Sequence, residues 1–244
     1  MTLQWIAFGV TVFFGLLRLP GAIRGENRGL FCALIILAVV MALSIPPFYL
    51  AVDSVLGGVN IANLLIRYCS FATVVILGAK VAAAFNAPRV QRLIAGQSGL
   101  TVLGLAAAAV AVLFFVSDLP ESSPALAAYW DQGTVNAYGD TSRLYQAYVA
   151  ACLVPALALC SADRRRRKDI RISAGLMSLG GVLTVVHSLL ILSLWDMQLV
   201  VLDRVLPYTA VIVISIGLAL IWNSQRVAKR VPQTGSLAQV NGAR

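Results

Sequence analysis

The sequence predicts an all-α polytopic membrane helix bundle of about seven transmembrane helices, with the N-terminus outside and the C-terminus in the cytoplasm. Three observations lead there. Hydrophobic residues make up 59% of the 244-residue chain and charged residues only 12%, about half the usual charged share of a soluble domain. A fold in water would lack the polar surface to cover that apolar content. The apolar residues fall in runs of roughly 20, the length a helix needs to cross hydrocarbon. Finally, lysine and arginine are confined to alternate gaps between those runs.

The predicted spans are 3–19, 30–52, 61–85, 99–117, 143–160, 172–195 and 204–222, which makes residues 1–226 one transmembrane domain. The polar segment 227–244 lacks apolar periodicity and is expected to be a disordered cytoplasmic tail. The N-terminal run carries its positive charges after the apolar stretch, at Arg18 and Arg24. It therefore reads as a retained first helix rather than a signal peptide. Arg18 and Pro20 are expected to close it. Pro46 and Pro47 predict a kink or an early end near the outer end of the second span. The fourth span is rich in alanine and glycine, which lets backbones approach and predicts a central position in the bundle. The longest loop, 118–141, holds Asp118, Glu121, Asp131 and Asp140 but no lysine or arginine.

Orientation follows from the basic residues. Arg18, Arg24 and Arg28 share one gap; Lys80, Arg89 and Arg92 another; Arg164 to Lys168 and Arg171 a third; Arg226, Lys229, Arg230 and Arg244 the tail. Of the 19 basic residues, only Arg67, Arg143 and Arg204 fall on the other side. The positive-inside rule puts the crowded side in the cytoplasm of a multi-pass plasma-membrane protein. The net charge of +9 thus marks inner loops facing a lipid bilayer, not a nucleic-acid surface. The run Arg164, Arg165, Arg166, Arg167 and Lys168 anchors topology and is a candidate contact for anionic lipid.

Arg67 lies about 9 Å into the third span on the outer side. A charge at that depth must snorkel, find a partner or serve a ligand. The candidate ion-pair partners of Arg67 are Asp53, Asp131, Asp140, Asp196 and Asp203, a pairing that would pin an outer loop to the bundle. The alternative is a site for an anionic or polar ligand, with Arg67, Tyr68, His187, Tyr145 and Tyr148 as candidate ligand-binding residues. Tyr68, Tyr145, Tyr148 and Trp195 are expected near the outer boundary, as an aromatic belt or the wall of a vestibule. His187, the only histidine, is expected near the middle of the sixth span, neutral and hydrogen-bonded across helices. A proton-relay role would need an acid at that depth, and no Asp or Glu falls in the middle of a predicted span.

Several chemistries are argued down. No lysine sits mid-span in the seventh helix for a Schiff base, there is no HExxH, and His187 and Ser188 are sequence neighbours whose side chains diverge on a helix. Cys32, Cys69, Cys152 and Cys160 lie in or beside apolar runs without metal-ligand spacing, so they read as small packing residues. No catalytic residue, metal, cofactor or nucleic-acid partner is expected, and the chain reads as a non-enzyme.

The order of soft motifs is ENRG at 26–29, Pro46–Pro47, GVNIAN at 58–63 and AYWDQGTVNAY at 128–138. In this it resembles an uncharacterised actinobacterial family of seven-helix integral membrane proteins described as transporters. The resemblance covers most of the chain, to about Arg226. It implies a small transporter or permease-like role with no substrate specified, and a soluble domain after the seventh helix, where this chain has only a short tail. The alternatives are a sensor or receptor whose acidic outer loop signals to a cytoplasmic partner, and a membrane scaffold subunit.

Overall fold

The computed structural model describes residues 2–25, 28–193 and 200–230. Among these the chain is helical, without a strand: α1 (Thr2–Ile23), α2 (Arg28–Leu43), α3 (Pro46–Val55), α4 (Ile61–Ala84), α5 (Pro88–Ala95), α6 (Gln97–Val116), a 3-10 turn at Pro124–Tyr129, α7 (Gly133–Ala162), α8 (Lys168–Ser193) and α9 (Val200–Arg230). Five stretches are long and apolar enough to cross a membrane: Leu3–Ile23, Ile61–Ala84, Pro88–Val116, Gly133–Ala162 and Lys168–Leu192. Counting the bent pair α2–α3 as one span makes six; the apolar part of α9, Val205–Ile221, is shorter. Large apolar side chains such as Phe115 (77% exposed) and Leu159 (74%) face outward. That is compatible with an integral membrane protein, whose surroundings are as apolar as its core.

Contacts between helices fix their relative directions. Gln4 meets Ser44, and Gly15 sits against Ile35, so α1 and α2 run antiparallel. Gly29 faces Lys80 across the α2–α4 seam, again antiparallel. Gly78 meets Ile94 between α4 and α5, and Ser117 bonds Thr134 where α6 hands over to α7. Gly175 meets Ser161, and Ser188 reaches the Arg143 carbonyl, so α7 and α8 are antiparallel. Ser173 bonds the Gly217 carbonyl at 2.6 Å between α8 and α9. By contrast α1 and α9 run parallel, pinned by Gln4–Tyr208 and by Arg18–Leu218 at nearly the same offset. The result is an up-and-down bundle in which α1, α4, α7 and α9 share one direction.

Several boundaries differ from the sequence expectation. Helix α1 continues through Arg18 and Pro20 to Ile23. A proline in the last turn removes only one intrahelical bond, and the buried Arg18 guanidinium donates to the Leu218 carbonyl at 3.0 Å. The expected span 30–52 is two helices, since α3 turns 97° from α2 at Ser44–Ile45. Pro46 and Pro47 start α3, where their missing N–H groups cost nothing. The residues expected as an inner loop at 86–98 are mostly the helix α5, which already turns back along α4. The small residues Gly96 and Gly99 allow its tight joint with α6: a Cβ on Gly99 would lie 2.2 Å from the Ile94 carbonyl oxygen.

The fourth span, Ala-rich α6, is peripheral rather than central. Its Leu105, Val112 and Phe115 are exposed, because alanines spread around all faces make no seam of their own. Close packing lies instead between α8 and α9, where a Cβ on Gly180 would stand 2.4 Å from Ile214. Helix α7 starts at Gly133, ten residues before the expected start of the fifth span at 143. Helix α9 extends to Arg230, into the segment expected as a disordered tail; residues 231–244 lie outside the described residues.

Candidate functional site

The site grows from the start of α4. Asn60 precedes that helix in the left-handed region (φ 64°) and does not cap it with its own side chain. Asp53, one turn from the end of α3, does so from a distance. Its Oδ2 accepts from the Asn60 N–H at 2.9 Å and its Oδ1 from the Ala62 N–H at 2.8 Å. A carboxylate at a helix N-terminus meets both the unpaired amides and the positive end of the dipole. Ser122 of the outer loop also donates to Asp53 Oδ2. Asp53 and Asn60 are both fully buried.

Asn60 extends the knot. Its Nδ2 donates to the Glu121 carbonyl at 2.6 Å, while its Oδ1 accepts from Tyr49 Oη at 2.9 Å and from the Ser123 N–H at 2.7 Å. One turn deeper, Asn63 Oδ1 accepts from Tyr138 Oη at 3.0 Å. One further turn brings Arg67. Its guanidinium carbon lies 5.3 Å from the centre of the Tyr138 ring, and Nη1 points at Ser142 Oγ at 3.5 Å, the limit of a hydrogen bond. Deeper again, Phe71 packs edge-on against Tyr145, ring centres 4.8 Å apart. Helices α4 and α7 thus run side by side in parallel, with Asn63–Tyr138, Arg67–Ser142 and Phe71–Tyr145 as successive rungs.

Arg67 has no ion pair among the described residues, which corrects the pairing expected from sequence. Asp53 is engaged by amides and a hydroxyl, and Asp140 is paired with Arg143 at 2.8 Å on α7. Both acids were expected in loops. Both instead sit in helices, because α3 is a helix of its own and α7 starts early. Asp131 is exposed beyond the loop turn. Asp196 lies outside the described residues, as does the side chain of Asp203. The half-buried Arg67 keeps a buried Nε without a hydrogen-bond partner.

The other predicted site residues divide. Tyr145 belongs to the rungs, is 2% exposed, and its hydroxyl has no hydrogen-bond partner. It is not near the outer boundary: twelve residues into α7, it lies about 18 Å along the axis. Tyr148 is deeper still and donates to the Leu93 carbonyl at 2.7 Å. Tyr68 faces α6, donating to the Ala107 carbonyl at 3.1 Å. His187 is buried on α8, nearer the outer end than the middle, since its neighbour Ser188 bonds the carbonyl of Arg143 on α7. Trp195 lies outside the described residues. At the other end of the bundle, Arg164, Arg165, Arg166, Arg167 and Lys168 are all exposed. Arg166 pairs with Asp163 and Arg167 with Asp169.

Sequence reasoning missed Tyr49, Asn60, Asn63, Ser122, Ser123 and Ser142, and assigned Tyr138 only to a boundary. A signal was present. Asn60, Asn63 and Arg67 recur at helical spacing on one face, as do Tyr138, Ser142 and Tyr145. Two polar stripes on apolar helices are a cue that the helices face each other. No family model, curated protein or solved structure matches the chain, so the physical reading of this α4–α7 seam stands by itself.

Proposed function

We propose that the chain is a small permease-like protein of seven spans, N-terminus outside and C-terminus inside. In this reading it binds an anionic or polar small molecule at Arg67, between the outer halves of α4 and α7. The seven-span count takes α2–α3 as one leg and α9 as another. The kinship with the actinobacterial seven-helix family, the plasma-membrane location, the non-enzymatic role and the contact of the Arg164–Lys168 run with anionic lipid belong to the same reading. One observation carries it: a cation inside an apolar helix retains a buried donor that nothing in the protein satisfies. Charges within spans are costly and mark functional sites, and a buried donor left unpaired costs about 1–3 kcal/mol. A ligand would remove that cost.

The test is the apparent stability of the purified full chain in detergent, with and without a panel of chloride, inorganic phosphate and small carboxylates, for wild type and Arg67→Gln. Ligand that binds only the folded state raises its melting temperature. A shift in wild type that Arg67→Gln abolishes supports the site. No Arg67-dependent shift with any anion would rule it out. A second reading, a sensor, is favoured by the knot itself: Asn60, which begins the helix bearing Arg67, holds the outer loop through Glu121 and Ser123. Binding without uptake into proteoliposomes would favour that reading over a permease.

A further inference from the structure

The edge of Arg67 that is left open, and the single charge it offers, specify a ligand class. We infer that the site takes a small organic monocarboxylate, its carboxylate lying flat against the Nε–Nη2 edge of Arg67 and its body against Phe71 and Tyr145. The inference rests on the anion-site reading of Arg67 above and narrows it.

A guanidinium presents two kinds of face. Arg67 uses its Nη1 on Ser142 and turns its plane toward the Tyr138 ring. The edge left over is the one formed by Nε and Nη2, and Nε is buried and unpartnered. Two parallel N–H groups on that edge match the two oxygens of a carboxylate, which is the geometry of a bidentate pair. An ammonium group cannot reproduce it.

Charge counting sets the valence. The next arginine on the seam, Arg143, is paired with Asp140. Lys80 is at the far end of α4, beside Gly29. A dianion would bring one charge into an apolar site with no cation to meet it, and an unmet buried charge is strongly disfavoured. The floor below Arg67 is aromatic, Phe71 against Tyr145. It offers apolar area and one buried hydroxyl with no partner, so it suits a body that is mainly apolar.

Isothermal titration of the purified full chain with benzoate, succinate and inorganic phosphate separates the claims. Benzoate should bind saturably and at least tenfold more tightly than succinate or phosphate. Arg67→Lys, which keeps the charge but loses the edge, should weaken benzoate at least tenfold; Arg67→Gln should abolish it. The melting curves of the unliganded variants show whether each remains folded. Phosphate binding that depends on Arg67, without benzoate binding, would overturn the carboxylate assignment and leave the anion site standing. Equal affinity for succinate and benzoate would overturn the single-charge argument. Undiminished benzoate binding in Arg67→Lys would overturn the bidentate edge. No Arg67-dependent binding of any of the three would overturn both the class and the site.

Discussion

Replacing Asp53 by Asn tests the knot that ties the outer loop to the start of α4. The wild-type carboxylate accepts from two backbone amides and the Ser122 hydroxyl while fully buried. An amide keeps one acceptor oxygen and turns an N–H₂ donor toward a backbone N–H. At least one amide then stays buried and unpaired, at about 1–3 kcal/mol. The lost negative charge at the start of α4 adds about 0.3–1 kcal/mol, up to about 2 in partly buried settings. Together they give about 2–4 kcal/mol, divided between the helix start and the loop. A share of 1.4 kcal/mol falling on the loop raises its opened population about tenfold, and cleavage follows that population when reclosing is fast. The assay is cleavage by Glu-C at Glu121 and by chymotrypsin at Tyr129 and Trp130 on the purified protein. Asp53→Asn should be cut at least tenfold faster than wild type, while Arg67→Leu should be cut no more than about twofold faster, because Arg67 holds no acid. Equal cleavage of Asp53→Asn and wild type would refute the account. So would an Arg67→Leu effect as large as that of Asp53→Asn, which would restore Arg67 as the loop's anchor.

Three further outcomes are expected. Gly180→Ala should lower the apparent melting temperature, because its Cβ would stand 2.4 Å from Ile214 and 3.1 Å from the Ala210 carbonyl oxygen; overpacking of this kind costs about 1–3 kcal/mol. Ala125→Gly should leave stability unchanged or raise it by up to about 1 kcal/mol in a thermal melt, because Ala125 is held at φ 59°, where glycine escapes the left-handed penalty. In a cysteine-free background, a cysteine at Ala127 should react with an impermeant maleimide on intact cells, while one at Arg165 should react only after permeabilisation; the opposite pattern would invert the orientation.

Helix content and most spans were legible in the sequence because apolar length is a property of one segment at a time. Two boundaries were not. Helix α7 begins at Gly133, inside a stretch whose Asn136, Tyr138, Asp140 and Thr141 read as loop. Those polar groups are absorbed by tertiary partners, Tyr138 by Asn63 and Asp140 by Arg143, which local propensity cannot see. The prolines at Pro46 and Pro47 announced a break, but not that α3 would follow at 97°. Arg67 stood out on depth alone. Its supposed acid did not survive, because Asp53 was read as an exposed loop residue when its position beside two unpaired amides makes it a cap.

The sharp turn between α2 and α3 has a consequence for the surrounding lipid. Helix α2 has 16 residues, about 24 Å of rise, against a hydrocarbon thickness of about 30 Å. Meanwhile α3 leaves Phe48, Leu50 and Val55 exposed. In a bilayer this corner draws the adjacent leaflet inward or sinks α3 among the headgroups, whereas α4 and α8 fit the full thickness. The protein therefore senses membrane thickness unevenly around its perimeter. Thicker membranes press on the same short helix that carries Asp53.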